Sequence, residues 1–274
     1  MISNDRKRAR RGEILKELGL TPVWRVRELT EDKRTEDESV SSVLESTETV
    51  VPIVAHPEFE EQAEQACMRS DDVTKDVTEK RRATILQMDW DQLKESVEGC
   101  VACRLCSSRT RTVFGVGDPD ADWLYVGEGP GAQEDALGEP FVGQAGKLLD
   151  NMLAAIGLKR GRNVFIANIV KCRPPGNREP SDDEAQCCEP YLARQIELIK
   201  PRLIIALGKT AARNLLDTDA SIGSLRGRIH QHKGIPVIVT YHPAYLLRTL
   251  VAKAKTWEDL CFAQSTMLTL KAPE

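Results

Sequence analysis

The sequence lacks the features that would place the protein in a membrane or outside the cell. No apolar run approaches the roughly 20 residues that a membrane-spanning helix requires. The first residues, Met1–Arg11, are polar and basic with no apolar stretch behind them, so we expect no signal peptide. Because thiols stay reduced in the cytosol, we expect a cytoplasmic protein whose cysteines can bind metal.

An excess of positive charge is also missing. The formal net charge is -4, which argues against a chain that coats nucleic acid through bulk charge. From residue 83 onward acidic and basic residues are equal in number, so the acidic excess lies in the N-terminal part. The net charge therefore does not exclude a local basic face on the folded part.

The glycine-rich segments do not match the common phosphate-binding motifs. Gly127–Gly131 departs from the dinucleotide pattern, and Glu134 and Asp135 would repel a pyrophosphate. Gly208–Thr210 resembles the end of a P-loop, but Leu203 stands where the first glycine belongs. The sequence thus argues against a dinucleotide or nucleoside triphosphate site.

Composition divides the chain into regions of different character. We predict a short basic amphipathic helical segment over residues 1–27, a disordered acidic linker over residues 28–82 and a folded domain over residues 83–274. The linker is crowded with Glu, Asp, Ser, Thr and Val and shows no sustained helical or strand period.

Short apolar runs alternate with amphipathic segments in the folded part. This order predicts an α/β fold, a doubly wound four-stranded parallel sheet flanked by helices. The predicted strands are Trp123–Val126, Val164–Ala167, Leu203–Leu207 and Val237–Val239, and the predicted helices are Leu148–Ile156, Glu184–Ile199, Thr210–Leu216 and one that ends near Leu270.

Ligands of such sheets bind beyond the carboxyl ends of the strands. The segments in that position are Gly127–Gly131, Asn168–Cys172, Gly208–Thr210 and Tyr241–Pro243. We expect all of them to converge on one cleft.

The cysteine spacing suits metal ligation better than disulfide bonding. Cys100 and Cys103 form a C-x-x-C pair, and Cys172 and Cys188 stand as separate sites. Spacing alone does not decide between an iron–sulfur cluster and zinc. Cys106 completes a C-x-x-C-x-x-C run and Cys187 sits beside Cys188, so the choice of ligand at each end stays open.

Several motifs in order carry a family resemblance. They are Gly127–Gly131, Pro140–Gly143, Asn168–Pro175, Asn177–Arg178 and His242–Arg248. Together they resemble the family 4, iron–sulfur uracil-DNA glycosylases, over roughly Cys100 to Leu270. The resemblance implies a monomeric, monofunctional base excision repair enzyme acting on single- or double-stranded DNA. It would flip deoxyuridine out and hydrolyse the N-glycosidic bond, releasing uracil and leaving an abasic site.

The resemblance implies a set of base-binding residues. Phe141 would stack on the flipped base, and Asn168 would donate to uracil O4 and accept from N3–H, a polarity opposite to that of cytosine. Glu134 would wall the pocket near uracil C5 and help to exclude thymine. Without the motifs, core packing for Phe141, a strand-end cap for Asn168 and a solvated helix start for Glu134 are the alternatives.

The resemblance also implies a catalytic set. His242 would donate to uracil O2, where negative charge develops, and a neutral imidazole suffices for this. Glu128, with the backbone of Gly129, would orient the attacking water or stabilise the oxocarbenium-like sugar. Other glycosylases have aspartate or asparagine at the position of Glu128, so which of these tasks it performs stays open.

The DNA-binding residues implied by the same motifs lie in the loops. Leu246 would wedge into the base stack while Arg248 holds a phosphate, with core packing as the alternative for one of the two leucines. Asn177, Arg178 and Lys171 would grip the backbone.

The family pattern selects the metal ligands. It implies a [4Fe–4S] cluster of structural role on Cys100, Cys103, Cys172 and Cys188, with Cys106 and Cys187 as bystanders and with Cys67 and Cys261 as linker and buried helix thiols.

Other readings compete with the glycosylase. An iron–sulfur nucleic-acid-binding module without glycosylase activity is one, and the presence of Glu128, Asn168 and His242 argues against it. A related glycosylase that traps the abasic sugar covalently would carry a basic, histidine-bearing insertion after the first motif. Here Glu139 leads straight to Pro140, so that insertion is absent.

Overall fold

The computed structural model describes residues 77–271, which form a mixed sheet with helices on both faces. The predictions for residues 1–27 and 28–76 lie outside the described residues. The strands are β1 (Val116–Gly117), β2 (Trp123–Gly127), β3 (Val164–Asn168), β4 (Leu203–Leu207), β5 (His230–His232) and β6 (Ile235–Thr240). The helices are α1 (residues 77–85), α2 (Trp90–Glu98), α3 (Ala132–Leu137), α4 (Gln144–Ala155), α5 (Asp182–Ile199), α6 (Lys209–Leu216), α7 (Ile222–Leu225), α8 (Pro243–Arg248) and α9 (Ala252–Lys271), with short 3-10 helices at Arg104–Ser107 and Pro175–Asn177.

The predicted parallel strands form the centre of this sheet. The strand order is β1-β3-β2-β4-β6-β5, and the inner pairs β3-β2, β2-β4 and β4-β6 are parallel. Every residue of β2, β3 and β4 is buried, as continuous apolar runs predict for strands covered on both faces. The predicted α/β fold is confirmed, and the antiparallel edge strands β1 and β5 were not predicted because they are too short to show a period.

Alternate residues of the central strands pack into two hydrophobic cores, one on each face of the sheet. Leu124 and Val126 pack on one face of the sheet with α5 and α6, whereas Trp123 and Tyr125 pack on the other face with α4 and α9. Helices therefore cover both faces of the sheet, and only the residues at the strand ends are available to form a binding site.

The strand register brings the loop segments to one edge. Gly127 of β2 lies opposite Asn168 of β3, and Leu207 of β4 lies opposite Thr240 of β6. The four loops that follow these positions start side by side, as predicted. No helix among residues 77–271 is long and apolar enough to cross a membrane.

Helix α1 covers the last residues assigned to the linker. Ile85 is buried in the core, Arg81 donates a 2.9 Å hydrogen bond to the Cys187 carbonyl, and Arg82 forms an ion pair with Glu189. Residues 77–82 are thus helical and contact the folded part.

Candidate active site

The cleft at the carboxyl edge is built around a glycine. A Cβ atom on Gly127 would lie 2.5 Å from Asn168 Oδ1 and 2.6 Å from Cζ of Phe141. Both distances are far below van der Waals contact, so the absence of a side chain at position 127 is what lets the amide and the ring approach one another. The predicted pair Phe141 and Asn168 is therefore brought together.

Asn168 carries an unpartnered acceptor. Its side chain is 2% exposed, and Oδ1 has no hydrogen-bond partner among residues 77–271. A buried acceptor without a donor costs about 1–3 kcal/mol. A ligand that offers an N–H at this point would recover that cost, which is the chemistry expected of a base-reading amide.

Phe141 lies buried beside the imidazole of His242. The two ring centroids are 5.4 Å apart, and the rings are tilted by 32°. Phe141 also has a φ of 55°, in the left-handed region that bulky residues rarely adopt. The loop thus holds this ring in a conformation that the local backbone does not favour.

His242 is the N-cap residue of α8, and its tautomer follows from that position. The backbone N–H of Ala244 donates to Nδ1 at 3.2 Å, so the proton of the neutral ring lies on Nε2. Burial, with the nearby charge of Arg248, lowers the pKa of His242 to about 4, and Glu134 opposes this shift. At neutral pH the side chain is therefore an uncharged N–H donor.

The hydroxyl of Thr210 lies between the carboxylates of Glu128 and Glu179. Thr210 Oγ1 donates to Glu128 Oε2 at 2.6 Å and lies 3.0 Å from Glu179 Oε1. Burial raises the pKa of Glu128 above its usual value, Thr210 lowers it, and the charge of Glu179 raises it further. No local sequence pattern marks Glu179, because only the fold brings the loop before α5 close to Thr210 and the first glycine loop.

Glu134 has a structural task in the cleft. Its Oε1 accepts hydrogen bonds from the backbone N–H groups of Val142 at 2.9 Å and Gly143 at 3.0 Å. Asp135 is buried and accepts from the N–H of Thr110 at 2.8 Å. The start of α3 is therefore tied to the loops on both sides, and the alternative of a solvated acidic helix start is wrong.

The predicted metal ligands line one cavity. It is bounded by the six thiols at positions 100, 103, 106, 172, 187 and 188, together with Val97, Ala102, Arg109, Lys171 and Tyr191. All six thiols are free of disulfides. Arg109 donates to Cys172 Sγ at 3.2 Å, and Arg81 approaches Cys100 Sγ at 3.8 Å. Burial raises the pKa of the Cys188 thiol to about 12.

No group of three or more His, Cys, Asp or Glu side chains within residues 77–271 has the arrangement of a single-ion metal site. The two alternative cysteines, Cys106 and Cys187, line the same cavity as the four selected ones. Geometry alone therefore does not choose among the six.

Comparison with known proteins identifies the family. The type-4 uracil-DNA glycosylase of Thermotoga maritima is 47% identical over 158 residues, which cover 57% of this chain and 82% of that protein. That of Archaeoglobus fulgidus is 44% identical over 165 residues, with 57% and 82% covered. That of Pyrobaculum aerophilum is 42% identical over 181 residues, with 63% and 92% covered. Residues 114–261, more than half of the chain, match the uracil DNA glycosylase superfamily.

The chain belongs to the type-4 uracil-DNA glycosylases. The family predicted from the motifs is confirmed. The superfamily match spans Glu128, Asn168 and His242 and begins after the Cys100–Cys103 pair.

The DNA-facing predictions for this glycosylase need correction at two residues. Leu246 is 1% exposed and packs in the core, so its assignment as a wedge is wrong. Its neighbour Leu247 is 43% exposed. Lys171 is 1% exposed and donates to the Asn168 carbonyl at 2.9 Å and to Gln195 at 2.7 Å, so it cannot grip a DNA backbone.

The remaining surface predictions are compatible with the structure. Arg248 is exposed at the end of α8. Arg178 is exposed but forms a two-pronged ion pair with Glu184, at 2.8 and 2.7 Å, which balances part of its charge. Asn177 accepts from Arg173 at 2.7 Å. Cys261 is exposed on α9, so its assignment as a buried thiol is wrong, and Cys67 lies outside the described residues.

Proposed function

We propose that this type-4 uracil-DNA glycosylase flips deoxyuridine out of DNA and hydrolyses its N-glycosidic bond. One observation carries the proposal: an unpartnered amide oxygen and an aromatic ring meet at Gly127, and a neutral imidazole lies beside that ring. Each of these groups meets a different part of a uracil base.

Base recognition is assigned to Phe141 and Asn168. Flipping a nucleotide costs a few kcal/mol, and stacking on an aromatic ring returns about 1–3 kcal/mol. Asn168 Oδ1 would accept the uracil N3–H, and its amide N–H would donate to O4. Cytosine has an acceptor at N3 and an amino group at C4, so it would leave the buried amide mismatched.

Bond cleavage is assigned to His242 and Glu128. When the C1′–N1 bond breaks, the electron pair leaves with uracil and negative charge collects on N1 and O2. The Nε2–H of His242 would donate to O2 without any proton transfer. Glu128, ionised with the help of Thr210, would orient the water that attacks C1′ or stabilise the positive sugar. The proton that this water loses would pass to solvent, and the released uracil anion would take up a proton from solvent.

The strand would be held open by residues on α8. We propose Leu247, in place of Leu246, as the wedge that fills the gap left by the flipped nucleotide. Arg248, one residue further, would bind a flanking phosphate.

The cysteine cavity fits an iron–sulfur cluster. Its wall consists mainly of thiol sulfurs and apolar atoms, and two guanidinium groups face the sulfurs of Cys172 and Cys100. A cavity lined by several thiols suits an iron–sulfur cluster as well as zinc, and membership of the type-4 family favours the cluster. We assign [4Fe–4S] to Cys100, Cys103, Cys172 and Cys188, where it would pin the loop between the last two.

The domain boundary follows from α1. Because Arg81 and Arg82 contact Cys187 and Glu189, we propose that the catalytic domain begins at residue 77 or earlier, ahead of the residue 83 boundary. A monomer in the cytoplasm stays the prediction for assembly and location.

The test is incubation of the purified full chain with an end-labelled oligonucleotide bearing one uracil opposite guanine. Strand scission that appears only after alkali is expected, with a thymine oligonucleotide as the control. Absence of scission from protein that carries its cluster and still binds the DNA would contradict the proposal. That result would favour the iron–sulfur binding module.

A further inference from the structure

The residue that stacks on the base does not hold its own position. Phe141 has a φ of 55°, a conformation that a phenylalanine abandons unless its surroundings enforce it. Two contacts on its carbonyl group do so, and neither belongs to the motif that contains Phe141.

The first contact is a guanidinium. Arg160, in the loop between α4 and β3, donates from Nη1 to the Pro140 carbonyl and from Nη2 to the Phe141 carbonyl, both at 2.8 Å. Its Nε donates to Asp150 Oδ1 at 2.9 Å, and its side chain is 21% exposed. Because Nε, Nη1 and Nη2 of this planar guanidinium each donate a hydrogen bond, Arg160 fixes the direction of both carbonyl groups.

The second contact is backbone. A Cβ atom on Gly146 in the first turns of α4 would lie 1.7 Å from the Phe141 carbonyl oxygen. The backbone of α4 at Gly146 thus packs directly against this carbonyl group, and Arg160 donates a hydrogen bond to it. Both contacts therefore oppose rotation of the peptide that follows Phe141.

We propose that Arg160 is a positioning residue for base stacking, which acts on the substrate only through Phe141. It keeps the phenyl ring beside His242 and over Gly127 before DNA arrives. The stack then forms without reordering the loop. This inference rests on the proposed function, because it concerns the same pocket.

The test is a double-mutant cycle in the full chain. The variants are Arg160→Ala, Phe141→Ala and the double variant. The readouts are the single-turnover excision rate on a uracil oligonucleotide and the dissociation constant for a 2′-fluorodeoxyuridine oligonucleotide. Fluorine at C2′ destabilises the positive sugar, so this second probe binds without cleavage.

Phe141→Ala is expected to lower excision by about 10- to 100-fold, the range that loss of one base–aromatic stack produces. Arg160→Ala is expected to lower it by a smaller factor that still exceeds about fivefold, again as part of that stack. In the Phe141→Ala background, Arg160→Ala should change the rate by less than about twofold, because sites acting through one group are not additive. Arg162→Ala, on an exposed residue of the same loop, should leave the rate unchanged.

An equal loss from Arg160→Ala in both backgrounds would overturn the inference, as would a wild-type rate in the single variant. If Arg160→Ala does not fold, Asp150→Asn and Arg160→Lys take its place, since each loosens the fork while keeping a cation, and the same cycle decides. Failure of the wild-type chain to excise uracil would overturn the proposed function instead. The cycle could then still be measured on binding of the fluorinated oligonucleotide.

Discussion

The hydroxyl of Thr210 donates a 2.6 Å hydrogen bond to the carboxylate of Glu128, which joins the first turn of α6 to the first glycine loop. The donor favours the ionised form of Glu128, whereas burial and the charge of Glu179 favour the protonated form. The pH at which Glu128 ionises is therefore set first by its burial and then by Thr210 and Glu179, two residues that do not touch the base in our proposal.

Opposite shifts of the pH–rate profile are expected for Thr210→Val and Glu179→Gln. Loss of the hydroxyl raises the pKa of Glu128, so the acid limb should move to higher pH. Loss of the neighbouring charge lowers that pKa, so the limb should move to lower pH. Single-turnover rates across the acid range measure both. If the acid limbs of both variants moved in the same direction, ionisation of Glu128 would not control the rate.

His242 should make stability depend on pH. Its pKa is about 4 in the folded chain and 6.5 when unperturbed, so the unfolded state binds a proton first as pH falls. Its contribution is full above pH 6.5 and is lost between 6.5 and 4, roughly 3 kcal/mol in total. Denaturant unfolding of His242→Asn should show a flatter pH dependence in this window. An unchanged slope would contradict the lowered pKa.

The adjacent leucines of α8 should behave differently. Leu246→Ala removes a core side chain and should destabilise the fold by about 2–5 kcal/mol. Leu247→Ala should change stability by less than about 0.5 kcal/mol. It should slow excision from duplex DNA more than from single strands, which need no wedge. Urea unfolding and excision rates on matched single- and double-stranded substrates separate the two effects, and equal slowing on both substrates would remove Leu247 from the wedge.

Cysteine substitutions should distinguish the cysteines that bind the cluster from those that do not. Cys172→Ser is expected to lose iron and sulfide, the visible absorbance of the cluster and the order of the loop that ends at Cys188. Cys106→Ser and Cys187→Ser are expected to keep iron, sulfide and colour near the wild-type level. Iron and sulfide analysis per chain measures this. Loss of iron from Cys187→Ser with retention in Cys188→Ser would reverse the assignment at that end.

Truncation tests the role of α1. A fragment starting at residue 77 should retain excision and its cluster, whereas one starting at residue 83 should lose iron faster, because it lacks Arg81 and Arg82. Iron release during storage at raised temperature compares the two. Equal release would return the boundary to residue 83.

Apolar runs alone were enough to predict the four parallel strands, since a strand covered on both faces needs apolar residues at every position. The residues that follow those strands were predictable for the same reason: parallel strands end at one edge. Residue types then identified the chemistry, with an amide, an imidazole and a carboxylate at that edge. The sequence by itself thus determined the fold, the family and which loops form the cleft.

Only the tertiary structure decided which neighbouring residues face the cleft. Leu246 and Leu247 are equally apolar, and a six-residue helix is too short for its phase to be read from a pattern. Lys171 is charged, yet Gln195 and the Asn168 carbonyl bury it, and Arg160 reaches Phe141 across 19 positions of sequence. Such contacts depend on distances between elements that are remote in the chain. A local pattern carries no information about those distances.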